Sequence, residues 1–220
     1  MINCNGLIRI RLLSKLLAEF IGTFLLVIAS ITPVVIDAKY AIGIFPIAFS
    51  PGIVVSILIY IFSKISGAHF NPAVSLAFLL EKRINFREFI YYVIVQFLAS
   101  IPASLLVYHL IGDEGELGST LPNRELGIAF GFEVLLTVIL ISIILVVVRA
   151  NGLKNLGGII IGLTIAMNII IGSDISGASM NPARSFGPMI ISNNIEYLWI
   201  YLSAPFIGSI LAVYLFKLKD

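Results

Sequence analysis

The sequence predicts an all-α membrane protein with six transmembrane helices and two re-entrant half-helices, arranged as an inverted 3+3 repeat. Three observations carry this. First, 59% of the 220 residues are apolar and only 12% charged, with a mean hydropathy of +1.07, whereas a soluble domain carries roughly 25% charged residues. Second, six apolar stretches are long enough to cross a bilayer. Third, a thirteen-residue pattern occurs twice, at 66–78 and 176–188. Such a chain could not clothe itself in a water-compatible surface, which argues against a soluble enzyme, a nucleic-acid binder and a disordered protein. The net charge of +2 is too small to imply a polyanionic partner. A single cysteine, Cys4, excludes an internal disulfide and any Cys-based metal cluster. The expected partner is the lipid bilayer, and neither a cofactor nor a bound metal is expected.

A helix needs about 20 apolar residues to cross the hydrocarbon core. The stretches Leu16–Ile36, Ile42–Phe62, Phe89–Ile111, Leu126–Val148, Leu156–Gly172 and Leu198–Phe216 meet or approach that length. The first follows Arg9, Arg11 and Lys15 as a signal peptide would. It is too long for such a segment and lacks a small-x-small cleavage site, so it is read as a span. If the spans alternate, Arg9, Arg11, Lys15, Lys64, Lys82, Arg83, Arg87, Arg149, Lys154, Lys217 and Lys219 fall on one side. Only Lys39 and Arg124 fall on the other, beside the acidic loop at 113–116. Basic residues accumulate on the cytoplasmic side, so both termini are expected in the cytoplasm of a multi-pass cell-membrane protein. Arg184 belongs to neither set.

The pattern reads SGAHFNPAVSLAF at 66–78 and SGASMNPARSFGP at 176–188, with seven of thirteen positions identical and the two Asn residues 110 apart. Upstream of each copy, Glu19-x-x-x-Thr23 is matched by Glu133-x-x-x-Thr137. The chain therefore reads as one membrane domain, residues 1–220, duplicated over approximately 12–111 and 125–218. Three spans per half is an odd number, so the second half runs inverted relative to the first, an arrangement that places the working path near the midplane. The segments Asn71–Leu80 and Asn181–Ile191 are too short to span. About ten helical residues reach about 15 Å, half of a core roughly 30 Å thick.

Asn is a strong helix N-cap, and Pro is favoured at the first helical position because its missing N–H would be unpaired anyway. Asn71-Pro72 and Asn181-Pro182 thus read as helix starts. Ala73 and Ala183 are small enough for the two ends to abut. The preceding non-helical backbone is tolerated at membrane depth only when buried in protein or lining a wet cavity. Its carbonyls at Gly67, Ala68 and His69, and at Gly177, Ala178 and Ser179, would form a ladder of acceptors along a pore. A lone Asn-Pro-Ala would be an ordinary capped loop, but two in matched inverted positions are not.

With these paired motifs the sequence resembles the major intrinsic protein (aquaporin) family, and SGAHFNPAV and SGASMNPARS resemble its nodulin-26-like branch. The likeness runs from AEFIGTF at 18–24 to LWIYLSAPFIGS at 198–209. It implies a passive channel for water and small uncharged solutes that excludes ions and protons, assembled as a homotetramer. Selectivity in such channels comes from pore width, lining hydrogen-bonding groups and electrostatic barriers, including the positive ends of half-helices. Each half-helix end is equivalent to about half an elementary charge. The Asn71 and Asn181 amides would donate to a passing oxygen and interrupt proton hopping along the file.

Arg184 stands three residues after Asn181, and a guanidinium at membrane depth marks a functional site unless it snorkels to the headgroups. By resemblance it belongs to the narrow outer filter, with Ile169 where strictly water-selective members place His, and Ala178 where several have Cys. The remaining filter position falls on Pro51, where an aromatic is usual, unless a local shift brings Phe49 into it. A filter apolar on three sides and charged on one favours solutes with an apolar face: glycerol, urea or neutral boron or arsenic hydroxides. Ser185 stands where glycerol facilitators generally carry Asp, and Tyr201-Leu202 replaces the Tyr-Trp common in water channels.

Glu19 and Glu133 need partners inside the membrane. In the family such acids accept hydrogen bonds from the re-entrant loops, and Gln96 is expected to bond a loop as well. A proton relay is the rival reading of the acids. His69 is expected to brace its loop, and Asp174 to lie in the outer loop, either steadying it or solvated. Gly22, Ala99, Ala103, Gly208 and Ala212 are expected where helices approach closely. The competing functions are a strictly water-selective aquaporin, an ion-coupled secondary transporter and a closed scaffold. No catalytic constellation appears.

Overall fold

The computed structural model describes residues 4–218, with side chains described from Leu12 onward except at Asn151 and Lys154. The thiol of Cys4 and the charges assigned to Arg9, Arg11, Lys154 and Lys219 lie outside the described residues. Eight α-helices follow in chain order: α1 Cys4–Tyr40, α2 Ile44–Phe62, α3 Pro72–Leu80, α4 Phe86–Leu110, α5 Leu126–Arg149, α6 Gly157–Ser176, α7 Pro182–Ile191 and α8 Leu198–Lys217. Among the described residues, six segments are long and apolar enough to cross a membrane: Leu12–Tyr40, Ile44–Phe62, Phe86–Leu110, Leu126–Arg149, Gly157–Ser176 and Ile195–Lys217. The half-helices α3 and α7 contain 9 and 10 residues. At 1.5 Å per residue neither can cross a core roughly 30 Å thick.

Two helices, α1 and α6, end four residues beyond the sequence reading. Helix α1 runs on to Tyr40 and stops where Ala41 and Gly43 take positive φ, with the Gly43 N–H donating to Asp37 at 2.6 Å. Helix α6 continues to Ser176 and is closed by Gly177 at φ 80°, the left-handed cap that glycine adopts without a Cβ penalty. Asp174 therefore sits exposed in the last turn of α6, not in a loop. The re-entrant loop needs only Gly177–Met180, so the helix consumes what the sequence reading left as connection.

Side-chain contacts sort the helix ends into two faces. On one, Lys15 near the start of α1 pairs with Glu88 near the start of α4 at 2.6 Å. On that face too, Arg149 ending α5 meets Glu81 capping α3 at 2.9 Å, and Lys217 ending α8 donates to the Leu80 carbonyl. On the other face, Lys39 pairs with Glu114 at 3.0 Å and donates to the Ile111 carbonyl. The hydrogen bond from Lys39 holds the Glu114 carboxyl below its usual range.

Packing ties the two halves together. Helix α1 lies along α4, and α5 along α8, while α2 lies along α6 across the halves. Each half-helix also packs against a long helix of the opposite half, α3 on α8 and α7 on α4. The α2–α6 crossing occurs at Gly52 and Gly162, residues 110 apart like the two Asn residues. A Cβ on Gly52 would lie 2.5 Å from the Gly162 carbonyl oxygen, and one on Gly162 would be equally obstructed by the Gly52 backbone. The sequence reading found Gly22, which faces the Phe70 ring, and Gly208, which faces Thr137 and the Val134 carbonyl. It missed this backbone-to-backbone pair, because a glycine's partner is set by the crossing of distant helices.

Gly162→Leu is expected to overpack the crossing by about 1–3 kcal/mol or more. A clear fall in the temperature at which detergent-solubilised protein loses monodispersity would register it. Gly127→Ala, where a Cβ meets nothing within 4 Å, should leave that temperature unchanged.

Candidate functional site: the lumen where the half-helices meet

Asn71 and Asn181 cap α3 and α7 in extended conformation, each side-chain oxygen accepting from the helix it starts. Asn71 takes the Ala73 N–H at 2.8 Å; Asn181 takes those of Ala183 and Arg184 at 3.0 and 3.3 Å. Pro72 and Pro182 occupy the first helical positions. The side-chain nitrogens reach across the join. Asn71 donates to the Met180 carbonyl at 2.9 Å, and Asn181 to the Phe70 carbonyl at 3.0 Å. An amide carries two N–H donors, so one on each Asn is committed to the opposite loop and one is left.

The loops entering this join adopt the same backbone twice. Gly67, Ala68 and Phe70 have positive φ, as do Gly177, Ala178 and Met180. Residues with a Cβ resist that region, so the conformation must be held. Glu19 holds the first loop, accepting from Ser66 Oγ and the His69 N–H on one oxygen and from the Phe70 N–H and Gln96 Nε2 on the other. Glu133 holds the second, accepting from Ser176 Oγ, the Ser179 N–H and the Met180 N–H, each at 2.8 Å. Both acids are fully buried. Gln96 was expected on a loop; it donates instead to Glu19 and to Ser75 Oγ. His69 braces its loop through Ser75 Oγ at 3.1 Å and by packing on Phe78 and Tyr92.

Several supporting residues escaped the sequence reading. Buried Tyr92 and Tyr201 donate to the Ser66 and Ser176 carbonyls at 2.7 and 2.6 Å. They stand 21 and 20 residues after their Asn, a spacing that extending the repeat alignment would have exposed. Buried Asn168 donates to the Leu136 carbonyl at 3.0 Å and has no counterpart in the repeat that would have signalled it.

A cavity of about 820 Å³ runs past the join, from Tyr60, Lys64 and Arg83 on the Lys15 face to Ile169, Ala178 and Arg184. One wall is aliphatic, with Leu26, Val55, Leu140, Ile144, Ile161 and Ile165. The other carries the two loops and both Asn residues. Of the six residues expected to present carbonyls, Gly67, Ala68, His69, Ala178 and Ser179 line the cavity. Gly177 does not; as the cap of α6 it lies against the backbone of Thr120 and Leu121 instead. Pro51 lines the cavity and Phe49 does not; Phe49 is half-buried and stacks with Phe45. Helix α2 stays regular through Pro51, so no local shift brings Phe49 inward. Arg184 is half-buried, its Nη1 donating to the Gly118 carbonyl at 2.8 Å. It does not snorkel to the headgroups. A guanidinium has five N–H donors, and this bond uses one.

The family model described as "Major intrinsic protein" matches residues 7–216. Nodulin-26 of Glycine max is 38% identical over 97% of this chain and 80% of its own. Glycerol uptake facilitator protein-like 6 of Lactiplantibacillus plantarum is 39% identical over 91% and 95%. Among solved structures, the aquaglyceroporin from Plasmodium falciparum superposes with a TM-score of 0.83 at 25% identity, over 94% of this chain and 96% of that one. The capped half-helices, the loops held by buried acids and the arginine beside the lumen are thus the features of a known architecture: the chain belongs to the major intrinsic protein family.

Proposed function

We propose that this protein is a passive transmembrane channel for water and small uncharged solutes, and that it excludes ions and protons. The observation that carries the reading is the lumen itself, aliphatic along one wall and hydrogen-bonding along the other, with Arg184 at one end. A polyol or urea can lay carbons on Val55, Ile165 and Ile169 while its oxygens or nitrogens exchange partners along the loop carbonyls and the free Asn N–H donors. A cation would meet two positive helix ends and a guanidinium with no carboxylate to compensate its lost water, at a cost of several kcal/mol or more.

In this reading Pro51, Ile169, Ala178 and Arg184 form the filter. Ile169 supplies neither donor nor acceptor, and Pro51 no aromatic ring. The opening favours glycerol, urea or neutral boron or arsenic hydroxides over water alone. A glycerol uptake facilitator-like protein and an aquaglyceroporin among the similar proteins support that preference. Glu19 and Glu133 act as structural acceptors, since their hydrogen-bond partners donate to them and the loop N–H groups cannot release a proton to a relay. The chain works as one channel domain of two inverted repeats, approximately 12–111 and 125–218. Both termini face the cytoplasm, and four copies assemble with one pore in each.

Stopped-flow light scattering on proteoliposomes should show glycerol, urea or boric acid entering clearly faster than into empty vesicles. Swelling by water alone, with no acceleration of any of these solutes, would reassign the protein as strictly water-selective. Flux should persist after the proton and sodium gradients are collapsed; its disappearance would indicate a coupled transporter.

Arg184→Ala should raise proton or cation leak by about tenfold or more, equivalent to about 1.4 kcal/mol of lost barrier. Dye-monitored leak that stays at the wild-type level would remove the charge barrier from Arg184.

A further inference from the structure

The loop between α4 and α5 lies between the two repeats, yet it is joined to α7 at three consecutive residues. The Gly118 carbonyl accepts from Arg184 at 2.8 Å, Ser119 Oγ meets Ser192 Oγ at 2.9 Å, and Thr120 Oγ1 meets Ser185 Oγ at 2.6 Å. Ser185 Oγ in turn meets Ser179 Oγ at 2.5 Å, and Ser179 Oγ donates to the Asn181 carbonyl at 2.9 Å. Thr120, Ser185 and Ser179 are all buried, and Ser179 lines the lumen.

One end of this line sets its polarity. A hydroxyl has a single hydrogen, and that of Ser179 goes to the Asn181 carbonyl. Ser185 must therefore donate to Ser179, and Thr120 to Ser185 at 2.6 Å, a far closer acceptor than Met189 Sδ at 4.0 Å. Thr120 heads the line as the donor on which the others depend.

The inner half of the molecule solves the same problem differently. There Ser75 occupies the repeat position of Ser185, His69 that of Ser179 and Val74 that of Arg184. The donor to Ser75 is Gln96, a side chain of the neighbouring helix α4. In the outer half no helix supplies that donor; the loop does. The loop is itself wedged: Leu117 is fully buried, and a Cβ on Gly118, at φ +65°, would lie 2.9 Å from Ile31 Cα. Its position is set by α1 on one side and by α7 on the other.

We propose that Thr120 is a positioning residue for Arg184, acting through Ser185 and through the Gly118 carbonyl two residues before it, and that it thereby sets solute selectivity at the outer end of the lumen. This rests on the channel reading above. Thr120 holds the first turn of α7 from one side of the guanidinium while its own loop offers the acceptor from the other. Without its hydroxyl, Ser185 loses its donor, the Gly118–Thr120 segment loses one of its three attachments to α7, and Arg184 is no longer confined to one orientation.

The test compares Thr120→Val, which keeps the shape and removes the hydroxyl, with Thr120→Ser, which keeps the hydroxyl. Each is reconstituted in liposomes and measured for glycerol and water permeability in the same vesicles, because the ratio does not depend on how many channels inserted. Thr120→Val should move the ratio about twofold or more, Thr120→Ser should match wild type, and Thr120→Val should add nothing when Arg184→Ala is already present. The proposal is overturned if Thr120→Val leaves the ratio unchanged, if Thr120→Ser moves it equally, or if the effect is undiminished beside Arg184→Ala. A wild type that passes water but no glycerol would count against the glycerol-permeable filter and leave the link to a second measurement. The Arg184 guanidinium ¹⁵N signal in bilayers, identified by its loss in Arg184→Lys, should shift in Thr120→Val and not in Thr120→Ser; a signal unmoved in both overturns the proposal. If Thr120→Val does not fold, Ser185→Ala breaks the same line one link further in, with the same expected and overturning results.

Discussion

Backbone that leaves the helix inside a membrane has no water to satisfy its N–H groups, and each one left unpaired costs several kcal/mol. Everything characteristic of this molecule depends on how Glu19 and Glu133 meet that constraint. Each carboxylate reaches from a long helix and takes two successive loop N–H groups together with a serine hydroxyl. Held this way, Ala68, Phe70, Ala178 and Met180 remain at positive φ. Ala68, Ala178 and Ser179 of these loops then line the lumen. Without the acids the loops would have no reason to stay open, and the half-helices no fixed approach to the midplane.

The second dependence is mutual. The amide of Asn71 is anchored on the Met180 carbonyl, and that of Asn181 on the Phe70 carbonyl. Neither half-helix start is complete without the opposite loop. The same reciprocity appears where α2 and α6 cross at Gly52 and Gly162, and where α3 and α7 pack on long helices of the opposite half. The duplicated halves interlock so that each supplies part of the other's core.

Against this near-symmetry the two ends of the lumen differ. Val74 and Arg184 occupy matching positions, three residues into their half-helices. Both line the lumen, but only one bears charge. Likewise the inner loop is braced by His69, Ser75 and Gln96, and the outer by Ser179, Ser185 and Thr120. The inner brace is built entirely from the repeat and its helices. The outer one borrows from a loop between the repeats, so the Arg184 end of the lumen is the end exposed to whatever that loop does.

By itself the sequence determined the number of spans, the inversion and the half-helix starts, because each follows from local rules. Apolar length counts helices, Asn-Pro marks a first turn, and an odd number of spans inverts a repeat. Tertiary structure alone decided that Pro51 and not Phe49 reaches the lumen, that Gly177 caps α6 away from it, and that Gln96 serves Glu19. It alone brought Thr120 to Ser185 and Gly52 to Gly162. These are contacts between segments far apart in the chain, and their partners are chosen by the angle and depth at which helices cross. No local pattern of residues encodes that geometry.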